Sequence, residues 1–172
     1  MCSKNFYAFS CLIKINVIIL HLELILKHNN MVADFNTMPM VFYDCNEKYF
    51  NGELPTPKFG LINNTKFIAR FEYRKSSKKD KDKKPLEHKI ILFSDCYDYD
   101  ENDFIEIMVH EMIHYYIAWN KIKDNGDHGN EFIKIANEMK NKYGLNITKT
   151  KDASLFNKTK NAPKSFWEKL FN

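Results

Sequence analysis

Apolar residues recur at the three- and four-residue spacing of a helix in three parts of the chain. In the central part, this spacing predicts a largely buried helix of about five turns over residues 100–119. Its first turn is acidic, which suits the positive end of a helix dipole, and Asp100 is the expected N-cap. The apolar positions of this helix are Phe104, Ile107, Met108, Met112 and Tyr115.

One further helix is predicted on each side of the central one. The earlier helix begins near Thr37, which we expect to cap it, and ends in a turn at Asn51 and Gly52. The later helix ends at Gly144, a residue type that favours the position just past a helix. The buried stripes are Val41, Phe42, Cys45 and Tyr49 in the earlier helix, and Phe132, Ile133, Ala136, Met139 and Tyr143 in the later one.

Three strand-like runs lie between the first helix and the central one, at residues 58–62, 66–73 and 89–94. The third run contains four consecutive apolar residues from Ile90 to Phe93, which favours a central strand. The pattern predicts a small, mainly antiparallel sheet of about three strands. Together with the helices, it predicts an α+β domain.

The two ends of the chain differ in composition from this region. Within residues 1–30, the run from Leu12 to Leu26 is strongly apolar but interrupted by Lys14, His21 and Glu23, so it falls short of the roughly 20 clean apolar residues that span a bilayer. We expect the domain to start near Met31, so that residues 1–30 are dispensable. Residues 149–172 are predicted to be a flexible tail rich in Lys and Asn, with a short amphipathic helix formed by Phe166, Trp167, Leu170 and Phe171.

Composition places few limits on function. The chain has 172 residues, of which 44% are hydrophobic, enough for one domain with a real core. Its net charge of +4 permits nucleic-acid contact without arguing for it. The cysteines, at positions 2, 11, 45 and 96, form no Cys-x-x-Cys pair and no evident disulfide framework. A reducing, cytoplasmic location is the expectation, with nucleoid association as an option and no membrane contact.

Residues 110–114 carry the chemistry that distinguishes this chain. They read His-Glu-Met-Ile-His, so His110 and His114 occupy one face of the central helix and can converge on one metal ion. Glu111 would lie near that ion without binding it, where it can accept a proton from water. This pattern is typical of zinc enzymes. The plainer interpretation is that the two histidines are ordinary core residues that bind no metal.

A catalytic zinc site needs a third protein ligand and one open position. His128, fourteen residues after His114, allows a turn and a return to the metal, and Gly129 would let the backbone bend there. Glu131 is the rival, as a ligand from the following helix. The metzincin pattern is excluded, since Ile117 and Asn120 stand where it requires Gly and His.

These pieces together resemble the SprT-like, or Spartan-type, family of zinc metalloproteases. The resemblance rests on the motif at residues 110–114, on His-Gly-Asn-Glu-Phe at residues 128–132, and on residues 46–55 with Asn46, Phe50 and a final Leu-Pro. It covers roughly residues 35–148, and the pieces follow the order of the family. We therefore expect a SprT-like domain over residues 31–148.

The resemblance implies a zincin-like single domain that binds Zn²⁺ through His110, His114 and His128, with Glu111 as the catalytic base. It further implies an endopeptidase acting on protein or peptide substrates, including proteins associated with or crosslinked to DNA, and a role in DNA repair. The oxyanion would be stabilised by zinc, with Tyr115 or Tyr116 as candidate helpers. The alternative is a zinc-stabilised DNA-binding or regulatory module without peptidase activity, against which the preserved Glu111 argues.

A basic stretch at residues 74–84 separates the second and third strand-like runs. Its plain interpretation is a solvated hairpin loop. The more specific one is a DNA contact, with Lys78, Lys79, Lys83 and Lys84 on phosphates. Many SprT-like proteins carry a cysteine zinc ribbon after the protease domain, and this sequence has no such cysteines. The oligomeric state is left open.

Overall fold

The structure is a computed structural model that describes residues 30–31, 33–76 and 86–163. In chain order its elements are β1 (Asn30–Met31), α1 (Thr37–Phe50), β2 (Lys58–Ile62), β3 (Ala69–Lys75), β4 (Leu86–Ser94), β5 (Tyr99–Asp100), α2 (Glu101–Trp119), α3 (Asn130–Tyr143) and a short 3₁₀ helix, Ala153–Leu155. The predicted single α+β domain is confirmed. The expectations for residues 1–29, Lys78, Lys79, Lys83, Lys84 and the C-terminal amphipathic stripe lie outside the described residues.

The three-stranded sheet has the order β2-β4-β3 and is mixed. As expected for a continuous apolar run, β4 is the central strand, and the side chains of Ile91 and Phe93 are fully buried. β3 pairs with β4 in the antiparallel sense, because the two are consecutive arms of a hairpin. β2 pairs with β4 in the parallel sense, a pairing that we did not expect in a mainly antiparallel sheet.

Helix α2 is the centre of the packing, since β3, α1 and α3 all contact it. Its N-cap is Asp100, as predicted, and the Asp100 side chain accepts a hydrogen bond from Asp103 N at 2.7 Å. Six residues of its inner face are completely buried: Phe104, Met108, Val109, Met112, Ile113 and Tyr115. Burying so much apolar side chain on one helix is what holds the helix rigid beneath the sheet.

The ends of α1 and α3 match the predictions except at one cap. Helix α1 ends at Asn51 in a left-handed conformation, and α3 ends at Gly144 with φ of 77°. The predicted cap at Thr37 is wrong, because the Asp34 carboxylate instead accepts hydrogen bonds from Asn36 N and Thr37 N. The Asp34 carboxylate thus satisfies the amide groups of the two residues at the start of the helix.

Residues 149–163 pack on the domain, in contrast to the expected flexible tail. Phe156 is 9% exposed and stacks near Tyr97 and Tyr99. The backbone of this segment is also bonded to the domain, through Asp98 N to Asn157 O and Thr159 N to Cys96 O, both at 2.9 Å. Aromatic burial and backbone pairing therefore outweigh the polar composition. In the described ranges, no helix is both long and apolar enough to cross a membrane.

Candidate metal centre

The rings of three histidines converge on one point, two of them from α2 and one from the loop that follows it. His110 and His114 are one turn apart on α2, whose neighbouring residues Val109, Glu111, Met112 and Ile113 are buried. His128 lies in the loop between α2 and α3, two residues before α3 begins. Phe132, on the first turn of α3, packs its ring against all three imidazoles, with centroids 4.7–4.9 Å away.

The Nε2 atoms of the three rings form a nearly equilateral triangle. The distances are 3.2 Å from His114 to His110, 3.2 Å from His114 to His128 and 3.0 Å from His128 to His110. Nitrogens that surround a tetrahedral zinc ion at about 2.0–2.1 Å would be about 3.3 Å apart. The spacing therefore fits a small divalent cation.

Hydrogen bonding among the rings cannot account for this triangle. A nitrogen either carries a proton or presents a lone pair, so among three mutually touching nitrogens at least one pair must match like with like. A cation removes the conflict because it accepts all three lone pairs at once. The donor set and its spacing thus fit a metal ion, and in the described part of the chain this is the cluster that can hold one.

The other ring nitrogen of His110 determines its tautomer. His110 Nδ1 lies 2.9 Å from Thr148 O, and a carbonyl oxygen only accepts, so Nδ1 carries the proton. The Nε2 atom is then unprotonated and directs its lone pair into the triangle. An outer hydrogen bond of this kind is the usual means of orienting a histidine ligand.

Burial keeps these rings neutral. It lowers the pKa of His110 to about 3, with further lowering by His114 and His128 nearby. The pKa of His114 falls to about 4, again mainly through burial. That of His128 is also lowered, and Asp127 opposes the effect. Neutral imidazoles at physiological pH are the form that binds metal ions.

Glu111 is a buried carboxyl group beside this cluster, with 6% of its surface exposed. Burial raises the pKa of Glu111 to about 8, and a hydrogen bond from the backbone N–H of Phe71 opposes the rise. That N–H belongs to β3, so a hydrogen bond from the sheet fixes the position of the carboxyl group on α2. A cation on the histidines would lower the pKa of Glu111, because opposite charges stabilise the carboxylate.

The loop that carries His128 is organised by Asp124. Its carboxylate accepts hydrogen bonds from Asn125 N at 2.8 Å, Glu131 N at 3.1 Å and Phe132 N at 3.0 Å, and so caps the start of α3. Gly129 is needed here for space and not for a sharp bend, since its φ of −76° is ordinary. A Cβ at Gly129 would lie 2.7 Å from Asn125 N and would collide with the Asp124 carboxylate.

The cluster forms the floor of an open cleft of about 550 Å³. One wall is the start of β3 and the residues before it, at 66–69, and the other wall is the irregular segment at 146–153. His110, Glu111 and His128 lie between the two walls. Such a cleft has room for a few residues of an extended polypeptide.

A profile of the SprT-like family matches residues 39–151, which span α1, the sheet, the three histidines and both walls of the cleft. The chain belongs to the SprT-like family. No curated protein sequence matches it significantly. The match ends at residue 151, within the cleft wall formed by residues 146–153.

The structure brings together the SprT-like residues that the motifs singled out and separates the rivals. His110, Glu111 and His128 line the cleft, and His114 joins the two histidines through the triangle of Nε2 atoms. Glu131 instead faces Lys134, at 3.9 Å. The two tyrosines considered for the oxyanion point elsewhere: Tyr115 donates to Pro55 O at 2.7 Å, and Tyr116 packs on Phe50.

Several contributing residues of the SprT-like site escaped the sequence reasoning. Thr148 acts through a backbone carbonyl, which any residue type provides. Asp124 caps a helix from six residues upstream, beyond the usual capping distance. Asn46, one of the residues that carry the resemblance, is buried, and its side chain accepts a hydrogen bond from Leu54 N at 3.2 Å and donates one to Leu54 O at 2.9 Å.

The pKa shifts predict how pH affects the stability of the metal-free protein. The histidines have lowered folded pKa values, so below about pH 6.5 the unfolded chain binds protons that the folded chain excludes, and stability falls with falling pH. Glu111 has a raised folded pKa, so its contribution is present below the unfolded value and is lost as pH rises from 4.5 to about 8. Stability without metal should therefore peak near neutral pH.

Urea unfolding in EDTA at pH 5, 6.5 and 8 measures this dependence for the wild type and the Glu111→Gln variant. Between pH 6.5 and 8 the wild type should lose stability, and the variant should lose less because its amide does not titrate. Identical profiles for the two proteins would show that Glu111 does not carry a raised pKa in the folded state.

Proposed function

We propose that this SprT-like protein is a zinc-dependent endopeptidase. The convergence of three histidine Nε2 atoms beside the buried Glu111, on the floor of an open cleft, supports this proposal above all. Three protein ligands leave a fourth tetrahedral position free, which is the arrangement of catalytic zinc sites. A purely structural site would normally close that position and would have no use for a base.

His110, His114 and His128 would hold the ion. When bound, zinc would polarise the peptide carbonyl and activate water at neutral pH. Glu111 accepts a proton from the attacking water, whose oxygen bonds to the carbonyl carbon. The C–N bond then breaks, and Glu111 delivers the proton to the leaving nitrogen, which departs as an amine. Phe71 N–H holds the Glu111 carboxylate on the cleft side of β3 throughout.

Strand β3 is suited to align the substrate. Ile68 O accepts a hydrogen bond from Ser94 N at 2.7 Å, so the backbone groups of Arg70 and Glu72, before the register shift in this strand, face β4. The backbone groups of Ala69 and Phe71 therefore face away from β4. Ala69 lines the cleft and is free to pair with a substrate, whereas Phe71 N–H is already bonded to Glu111 and leaves only its carbonyl oxygen for pairing. An extended peptide can add to this edge as a further strand, which would fix one peptide bond over the histidines with little preference for sequence.

The test is digestion of an unfolded protein such as casein by purified protein loaded with zinc. We expect fragments that 1,10-phenanthroline suppresses, and that appear at similar rates with substrates of unrelated sequence. Running the reaction with and without single-stranded DNA shows whether DNA activates it, as a DNA-associated substrate would require. If zinc binds and no cleavage occurs in either case, the chain is instead a zinc-stabilised binding or regulatory module.

We further propose that the basic loop contacts DNA through Lys78, Lys79, Lys83 and Lys84. The flanking residues support this proposal, because β3 runs from the cleft at Ala69 to Lys75, about 20 Å along a strand, before the loop begins. Changing the four lysines to Gln should reduce the slope of log affinity against log salt for single-stranded DNA by up to about 3.

The matched control changes Lys134 and Lys140, which are exposed on α3, to Gln. This control should leave the slope close to that of the wild type, since these lysines are not part of the basic loop. An unchanged slope in the loop variant would remove the loop from DNA binding without affecting the peptidase proposal.

A further inference from the structure

The hydrogen bond that orients His110 comes from a segment without regular structure. Residues 146–151 form one wall of the cleft, and Thr148 O within them accepts the His110 Nδ1 proton at 2.9 Å. A carbonyl in an irregular segment holds its position only if the segment itself is fixed. The bond from Thr148 Oγ1 to Thr150 O, at 2.9 Å, stiffens the segment internally and does not attach it to the domain.

Glu106 attaches both ends of this segment to α2. Its Oε1 atom accepts a hydrogen bond from Asn146 N at 2.8 Å, and its Oε2 atom lies 3.0 Å from Lys151 Nζ. Lys151 also pairs with Asp103, one turn earlier on the same helix. The side chains of Glu106 and Lys151 are only 17% and 21% exposed, so water screens this ion pair less than a surface pair.

Glu106 and Lys151 together clamp residues 146–151 to α2, and helix geometry links this clamp directly to the metal centre. Glu106 is four residues before His110, so both side chains lie on the same face of α2. The helix that carries the ligand therefore also carries the acid that holds the carbonyl bonded to that ligand. Thr148 lies between the two anchored residues, Asn146 and Lys151, which places its carbonyl over His110.

We propose that Glu106 is a positioning residue, paired with Lys151, that holds Thr148 O on His110 and thereby sets the metal affinity of the site. The proposal rests on the proposed metal-dependent function and adds a determinant that lies outside the His-Glu-Met-Ile-His motif. Losing outer hydrogen bonds of metal ligands typically costs about 10–100-fold in affinity. The Glu106 clamp should have an effect in the lower part of that range.

The first readout is zinc affinity, measured by competition with a chromogenic chelator. Glu106→Ala removes both contacts and should weaken binding about 10-fold. Glu106→Gln keeps an acceptor for Asn146 N and loses only the ion pair with Lys151. Lys151→Met loses the ion pairs with Glu106 and Asp103 and keeps the Glu106 bond to Asn146 N, so both variants should show smaller losses. The matched control is Glu101→Gln, which removes an exposed acid from the same helix and should bind zinc like the wild type.

The second readout separates positioning from general destabilisation. A long-range ¹H–¹⁵N spectrum of the metal-free protein reports which ring nitrogen of His110 is protonated. The wild type should show a protonated, slowly exchanging Nδ1, and Glu106→Ala should lose that protection while its backbone spectrum stays folded. If Glu106→Ala unfolds, the protection of the His110 Nδ1 proton is measured in Glu106→Gln and Lys151→Met instead, and a loss of protection there supports the positioning role.

Unchanged zinc affinity and an unchanged His110 signal in these variants would overturn the role of Glu106. That outcome is distinct from a failure of the proposed function, which would appear as absence of zinc binding in the wild type itself.

Discussion

The Glu111→Gln variant should bind zinc as the wild type does and lose peptide cleavage by about 10²–10⁴-fold. Gln has the same shape as Glu and can still accept the hydrogen bond from Phe71 N–H. It cannot accept a proton from water, however, so the attack on the carbonyl carbon loses its base. Casein digestion and zinc content, measured on the same preparation, check both halves of this expectation.

The control for that experiment is Glu138→Gln, an exposed acid on α3 that lies away from the cleft. It carries the same chemical change and should cleave at the wild-type rate. A Glu111→Gln variant that still cleaved at that rate would remove Glu111 from the role of base. Loss of cleavage together with loss of zinc would indicate a structural effect on the histidines.

The His128→Ala variant should lose at least about 100-fold in zinc affinity, because one of three protein ligands would contribute about a quarter or more of a binding free energy near 10–16 kcal/mol. Two histidines spaced four apart on a helix would remain, and these alone bind zinc weakly. Competition with a chelator of known affinity measures the loss.

Two variants make the assignment of His128 specific. Glu131→Gln removes the rival ligand and should leave zinc affinity unchanged, since the Glu131 carboxylate faces Lys134. His88→Asn is the histidine control: it removes an exposed histidine of β4 and should also leave zinc affinity unchanged. Asn tolerates the positive φ of 50° found at this position. Weak binding in Glu131→Gln with normal binding in His128→Ala would reverse the assignment of the third ligand.

The helical parts of the fold were predictable because local signals and burial agree. The apolar stripe of α2, the Asp100 cap and the stop at Gly144 are each written within a few neighbouring residues. The convergence of His110 and His114 follows from helix geometry alone. His128 was within reach because its spacing and the resemblance to the SprT-like family pointed to the same residue.

The parts that escaped prediction depend on contacts distant in sequence. The parallel pairing of β2 with β4 is decided by how the chain crosses over, and neither strand encodes it. Gly129 is required by the Asp124 carboxylate packed against it, which the φ preference of glycine does not reveal. Thr148 acts on His110 from 38 residues away through its backbone, so its side-chain type carries no signal.

A zinc titration of casein cleavage tests the central claim most directly. Metal-free protein should be inactive, and activity should rise in proportion to added zinc and level off at one equivalent per chain. That result would mean that a single ion on the three histidines supports hydrolysis. Binding of one equivalent with no cleavage at any point, with or without single-stranded DNA, would contradict the peptidase account. Cleavage that did not depend on zinc would contradict the account of the site itself.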